Sequence, residues 1–246
     1  MIAGLELFAE RFRGFENSYV VIGGTACFLT MREAGIVFRG TKDIDIVLTV
    51  ESLSADFFSA FWSFVKEGGY TYQQRGTGKY TFYRFYQPGN SDFPYMLELF
   101  SRQPDSFGPA VTGHLTPLPS GSEASSLSAI LLDPEYYRFL HSGVVQINGI
   151  SVAKPEYLIP MKAKAWLDLT ERKSNGEQVD SRDISKHLKD IVTLFDIVTP
   201  SDSIPLTGRL LRDFVDFVTK ASETVARIAT ISEELYAFYQ VKTKEP

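Results

Sequence analysis

The sequence predicts an α+β chain, with a mixed-sheet domain over residues 1–153 and a C-terminal helical bundle over 154–246. Three observations lead there. Short β-branched runs alternate with helical patterns in the first part. A Gly-Gly break at 23–24 ends one such run, and an Asp-x-Asp at 43–45 opens the next. After Lys154-Pro155 the apolar spacing settles into the helical period and keeps it to the end.

Taken in order, "MIAGLELFAERFRGFE" carries Glu6, Glu10 and Arg11 inside an apolar pattern, which predicts an amphipathic helix and not a signal peptide. Tyr19 to Ile22 is a short buried strand. Thr25 is expected to N-cap a helix that ends near Gly35. Asp45 to Val50 is apolar and β-branched, hence a strand. A helix over 53–67 closes at Gly68-Gly69. "YTYQQ" and "YTFYRFY" flank Arg75-Gly-Thr-Gly-Lys79 and predict a hairpin. "YMLELFS" around Glu98 is a further strand, and 102–126, rich in Pro, Gly and Ser, is a long loop. Asn148-Gly149 between apolar runs marks a second hairpin. Helices then follow over 155–173, 181–198, 206–220 and 222–241.

Composition narrows the function. A hydrophobic content of 44% in 246 residues is ample for a core. No apolar run approaches the roughly 18 residues of a membrane span, so no membrane partner is expected. Cys27 is the single cysteine, which excludes an internal disulfide and makes the cytoplasm the expected compartment. Three histidines and one cysteine are poor material for structural zinc. A net charge of −5 gives no global attraction to nucleic acid, so any such site must be a local patch.

The Gly-Gly and Asp-x-Asp motifs fit one chemistry. Strand side chains alternate, so Asp43, Asp45, Val47 and Thr49 share a face while Ile44, Ile46, Leu48 and Val50 share the other. Two carboxylates with Cα atoms about 6.6 Å apart repel each other, and a divalent cation such as Mg²⁺ reverses that cost. Gly23 and Gly24 stand before a helix N-terminus, where free N–H groups attract phosphate and no Cβ obstructs its approach; Thr25 joins them as a candidate phosphate contact. Cradle plus carboxylates describes a nucleoside triphosphate site with Asp43 and Asp45 as metal ligands. Glu98 is the candidate third carboxylate of a two-metal arrangement. There is no G-x-G-x-x-G and no G-x-x-x-x-G-K-[ST], so dinucleotide and P-loop sites are not supported.

"IGGTA" followed by "RGTKDIDIV" resembles the polymerase β-type nucleotidyltransferases, in which a glycine-rich turn holds triphosphate and DxD holds metal. "KPEYLIPMKAKAWLDLTERK" and "SKHLKDIVTL" narrow the resemblance to the AbiEii/AbiGii-type family, which includes toxins of toxin–antitoxin and phage-defence systems. It covers roughly residues 18–50 and 154–195. The resemblance implies a phosphate-contacting Lys162, a functional acid at Asp190, an acceptor such as RNA, and a cognate antitoxin protein. One departure is visible: the family often has Lys-Asp three residues before its last acid, where this chain has Lys186-His187.

The residues themselves read more plainly. On the 155–173 helix Lys162 falls in the middle of the face formed by Leu158, Met161, Ala165, Trp166 and Leu169. It must be paired there, or snorkel, or reach a phosphate. Lys164 lies on the other side and is expected to face solvent. On the next helix Ile184, Leu188, Ile191, Val192 and Phe195 form the expected core stripe, with Asp183, His187, Asp190 and Leu194 beside it. The aromatic hairpin with Arg75, Lys79 and Arg84 carries no Asp or Glu from Gly68 to Ser91 and is a candidate contact for single-stranded RNA. The expected activity is Mg²⁺-dependent transfer of a nucleotidyl group from an NTP to an acceptor with release of pyrophosphate. The competing readings are a small-molecule, antibiotic-type nucleotidyltransferase and a non-catalytic member that binds nucleotide or a partner.

Overall fold

The computed structural model describes residues 2–76, 81–101, 130 and 133–242. The chain divides into two compact units, Met1–Pro119 with His141–Lys154, and Ser120–Leu140 with Pro155–Pro246. The second unit therefore takes in a segment before residue 154 as well as everything after it.

The first unit contains α1 (Leu5–Arg11), β1 (Tyr19–Ile22), α2 (Gly23–Glu33), β2 (Asp43–Leu48), α3 (Ala55–Gly68), β3 (Thr71–Gly76), β4 (Thr81–Tyr86) and β5 (Met96–Ser101). It ends in β6 (Val144–Ile147) and β7 (Ile150–Ala153). The strands form one seven-stranded sheet in the order β3-β4-β5-β2-β1-β7-β6. It is mixed: β1 runs antiparallel to β2 and parallel to β7, β2 runs parallel to β5, and the β3–β4, β4–β5 and β6–β7 pairs are antiparallel. Asn148 and Gly149 both take positive φ, 51° and 78°, as a two-residue hairpin turn of the primed kind requires.

One face of this sheet is sealed by aromatics. Tyr19, Ile44, Ile46, Leu48, Phe85, Leu97 and Leu99 are all buried and alternate onto one side of their strands. Phe8 of α1 meets Tyr19 edge-on at 5.5 Å, Phe61 of α3 meets Phe85 at 5.2 Å, and Phe12 lies 6.0 Å from Phe61. Ser54 caps α3 by accepting from the Phe57 N–H, and Gly69, at φ 61°, ends it. The opposite face carries Asp43, Asp45 and Glu98. It is not open throughout, because Val47 on that face is as buried as its neighbours.

The second unit holds most of α4 (Pro134–Ser142), through Leu140, with α5 (Pro155–Ser174), α6 (Ser181–Phe195), α7 (Gly208–Thr224) and α8 (Ala226–Phe238). The α4 helix was absent from the sequence reading; nine residues rich in tyrosine and phenylalanine lack the length that makes a helical period conspicuous. Gly208 starts α7 at φ 56°, and the Glu135 carboxylate of α4 accepts from the Arg209 N–H at 2.7 Å, so an acid caps the helix N-terminus. Asp213 accepts from the Tyr136 hydroxyl at 3.0 Å and pairs with Lys164 at 3.4 Å. Lys164 is thus engaged within the bundle and does not face open solvent as the helical wheel suggested. Burial, followed by the Asp213 charge, pushes the Tyr136 phenol far above its ordinary pKa and keeps it a donor.

Pro160 lies inside α5. It has no N–H to give to the carbonyl four residues back, which is Glu156. The Tyr239 hydroxyl supplies the missing donor, at 2.8 Å from the Glu156 carbonyl oxygen. Tyr239 is fully buried and stacks edge-on to Phe214 at 4.6 Å, so its ring is held for the task. The Lys79 end of the β3–β4 hairpin and the stretch 102–126 lie outside the described residues; Arg75 occupies β3 in register with Phe82. Among the described residues no helix is long and apolar enough to cross a membrane.

The proline and the tyrosine make a coupled pair. Tyr239→Phe should cost about 1–3 kcal/mol, because it strands a buried carbonyl. In a Pro160→Ala background, where residue 160 regains its N–H, the same substitution should cost measurably less. Urea unfolding of the four proteins of this cycle checks the coupling.

Candidate active site

The site is assembled by strand register. Ile22, the last residue of β1, lies opposite Asp45, and Asp45 lies opposite Glu98 on β5. Asp43 is in register with Met96, and Glu98 in turn with Arg84 on β4. Asp45, Glu98 and Arg84 therefore form one row across three strands, with Asp43 two residues along on the same face. Ile44 and Ile46 between them are buried, while both aspartates are part-exposed.

The chain turns from β1 into α2 at Gly23 in a left-handed conformation, φ 65°. A Cβ at this position would lie 2.8 Å from Asp45 Cγ and would overlap Asp45 Oδ2. The glycine serves both purposes at once: it accepts the positive φ and lets the backbone close on the carboxylate. The helix begins here, two residues before the expected cap at Thr25; Ile22 holds the cap position and no side chain caps the N-terminus. Thr25 is fully buried and its hydroxyl donates to the Asp43 carbonyl oxygen at 2.6 Å. That hydrogen bond ties α2 to the start of β2.

Sequence reasoning missed two residues of the 36–42 segment. A Cβ on Gly24 would come 3.0 Å from Thr41 Oγ1 and 3.8 Å from Arg39 Nη1. A guanidinium therefore stands beside the glycine turn. The signal was in view, since "RGTKDID" places a basic residue four positions ahead of the first aspartate.

Glu98 stands in the row beside Asp45 and is paired with Arg84. It is 6% exposed, and Arg84 holds its Oε1 through Nε at 2.6 Å and through a second guanidinium nitrogen at 2.5 Å. Among the described residues no group of three or more His, Cys, Asp and Glu side chains is placed to hold a metal. The physical reason is the register: Arg84 sits directly across from Glu98 and captures it. The chemistry that fits Mg²⁺ here is that of the Asp43–Asp45 pair, two hard oxygen donors beside a helix N-terminus.

Lys162 and Asp190 belong to the second unit and are brought together. Lys162 Nζ donates to Asp190 Oδ2 at 2.8 Å, with the lysine 6% and the aspartate 1% exposed. The pair also corrects the face of α6. His187, Asp190, Ile191 and Leu194 are its buried residues, so the row expected beside the core stripe is the one turned inward.

No protein-family model matches the chain, and comparison with curated proteins finds no match. Among solved structures, the crystal structure of an antigenic nucleotidyltransferase-like protein from Paracoccidioides brasiliensis aligns with 92% of this chain and 90% of its own length, at 16% identity and a TM-score of 0.45.

Two substitutions probe this geometry. Gly23→Ala should destabilise the first unit by more than the roughly 1–2 kcal/mol of a left-handed alanine, since Asp45 must also move; thermal unfolding and nucleotide binding should both suffer. Lys162→Met should cost about 3–5 kcal/mol by leaving the Asp190 carboxylate buried without its ammonium. Most of that loss should return in Lys162→Met/Asp190→Leu. A single Lys162→Met variant as stable as the parent would show that the pair contributes nothing to the bundle.

Proposed function

We propose that the chain is a Mg²⁺-dependent nucleotidyltransferase of the polymerase β type, moving a nucleotidyl group from an NTP to an acceptor hydroxyl. The observation that carries this reading is the closure of Gly23 onto Asp45. It sets a helix N-terminus, with N–H groups that attract phosphate, against a carboxylate pair that attracts a divalent cation. A nucleotide triphosphate with its metal satisfies both at once.

In this reading the backbone at Gly23 and Gly24 cradles the β- and γ-phosphates, and the Arg39 guanidinium adds a cation beside them. Asp43 and Asp45 would hold Mg²⁺, which supplies charge neutralisation on the triphosphate when bound. The acceptor oxygen forms its bond to the α-phosphorus as the bond to the β-phosphate oxygen breaks. The electron pair leaves with pyrophosphate, and the hydroxyl proton passes to solvent. Glu98 holds Arg84 in the row next to Asp45. The buried pairing of Lys162 with Asp190 favours a structural role for both. A toxin or phage-defence role, and with it a cognate antitoxin, rests on the AbiEii/AbiGii resemblance.

Isotope-labelled NTPs incubated with the protein, Mg²⁺ and either total RNA or a panel of small hydroxylated acceptors test the reading. Label transfer is expected, and chelation of Mg²⁺ should abolish it. Asp43→Asn and Asp45→Asn should each remove transfer and the thermal stabilisation conferred by Mg²⁺-NTP. Stability without nucleotide should be unchanged or raised, because one of two repelling charges is gone. Turnover in either variant would sink the assignment. Nucleotide binding without any transfer would favour the non-catalytic reading.

A further inference from the structure

The first unit contains a cavity of about 770 Å³ that the proposed chemistry does not use. Thr41 and Lys42 line it from the segment ahead of β2, and Gln87, Pro88, Phe93 and Tyr95 line it from the segment between β4 and β5. Its volume lies within the range of small-ligand sites, roughly 300–1,000 Å³. Its chemistry is selective. Lys42 is the one charged side chain among the described lining residues, so the cavity favours an anion. Tyr95 is 48% exposed, unusual for an aromatic ring in a chain that buries its tyrosines and phenylalanines so thoroughly. The Lys42 ammonium lies 5.7 Å from the Tyr95 ring centroid, so ring and cation are already held together. Gln87, which lines the cavity, adopts φ 51°, a left-handed conformation that a residue other than glycine seldom takes.

The position is as informative as the chemistry. Lys42 immediately precedes Asp43, and Tyr95 immediately precedes Met96, the register partner of Asp43. The ring and the ammonium thus stand one residue beyond the rung of the ladder that carries the first aspartate. The second unit offers a contrast. Its cavity of about 520 Å³ is lined by Arg227, but that guanidinium is paired with Asp196 at 3.3 Å and Glu234 adds a further acid, so it does not select an anion.

We propose that the cavity beside Asp43 is the acceptor subsite and that it takes one nucleotide unit of a single-stranded nucleic acid. The base stacks on Tyr95, its edge meets the Gln87 amide, and Lys42 contacts the adjoining phosphate. This rests on the transfer reading above and moves the expected nucleic-acid contact from the β3–β4 hairpin to the segments that flank β2 and β5.

The test uses the full chain and a short single-stranded oligoribonucleotide as probe, titrated calorimetrically without NTP. The variants are Tyr95→Ala, Tyr95→Phe and Lys42→Ala, all at part-exposed or exposed positions. Each is first matched to the parent in thermal unfolding and in Mg²⁺-NTP affinity. Tyr95→Ala should weaken the oligonucleotide roughly tenfold or more. Tyr95→Phe, which keeps the ring, should bind as the parent does. Lys42→Ala should weaken binding and make its salt dependence shallower by about one phosphate contact. In the transfer assay Tyr95→Ala should raise KM for the acceptor with KM for NTP unchanged. Oligonucleotide affinity that ignores Tyr95→Ala, or a parent protein that binds no oligonucleotide, overturns the proposal even where transfer to small acceptors is intact. An equal loss of oligonucleotide and NTP affinity overturns it too, since the cavity would then belong to the triphosphate site. Conversely, oligonucleotide binding that depends on Tyr95 in a protein without transfer activity keeps the nucleic-acid subsite and overturns the enzymatic reading.

Discussion

The contact between Gly23 and the Asp45 carboxylate constrains how β1, α2 and β2 meet. It demands a residue with no Cβ at the end of β1, in a conformation that only glycine adopts readily. Because β1 pairs with β2 so that Ile22 faces Asp45, the sharp turn into α2 cannot be relieved by a slip of register. A one-residue slip would turn Ile44 and Ile46 out of the aromatic core and the aspartates into it. Burial on one face therefore fixes the placement of charge on the other. The Thr25 hydroxyl on the Asp43 carbonyl closes the same loop from the helix side.

Much of this was legible in the sequence. The strands over 19–22 and 96–101, the strand expected over 45–50 and found over 43–48, both hairpins and seven of the helices follow from β-branched runs, turn residues and apolar spacing. The aspartate face followed from alternation alone. What escaped were the long-range pairings. Nothing local in "MLELF" announces that Arg84 lies across from Glu98, because register between β4 and β5 is a property of the sheet. Thr25 looked like a cap since caps and phosphate contacts use the same residue types; only the fold shows its hydroxyl already bound. The helical wheel misled at α6 for a related reason. It ranks His187 and Asp190 as polar, whereas a carboxylate that meets Lys162 across 28 residues of chain can be buried.

The second unit repeats the principle that an awkward residue is tolerated where a distant one satisfies it. Pro160 interrupts the α5 ladder, and Tyr239 from the end of α8 restores the missing bond. Lys162, two residues on, sits in the same buried stretch and is met by Asp190 of α6. Two consecutive violations of helix and burial rules, each answered from a different helix, bind α5 to both partners by directional contacts. Apolar packing alone is permissive about rotation and slip; hydrogen-bonded partners are not. That argues for α5 as the organising helix of the bundle, and it explains why "IPMKAK" looks anomalous only when read by itself.

The same contrast separates the charges that stabilise from those that could act. Glu98 with Arg84, and Lys162 with Asp190, are acids and bases turned toward each other and largely withdrawn from water. Asp43 and Asp45 are part-exposed carboxylates on one face of the same strand, within reach of a ligand from water. The glycine turn brings the helix N-terminus onto one of them, so a cation at the carboxylates and an anion at the helix N–H groups would each meet a complementary charge. Under the proposed function it is these part-exposed carboxylates beside a helix N-terminus, and not the buried ion pairs, that make the start of β2 the candidate site.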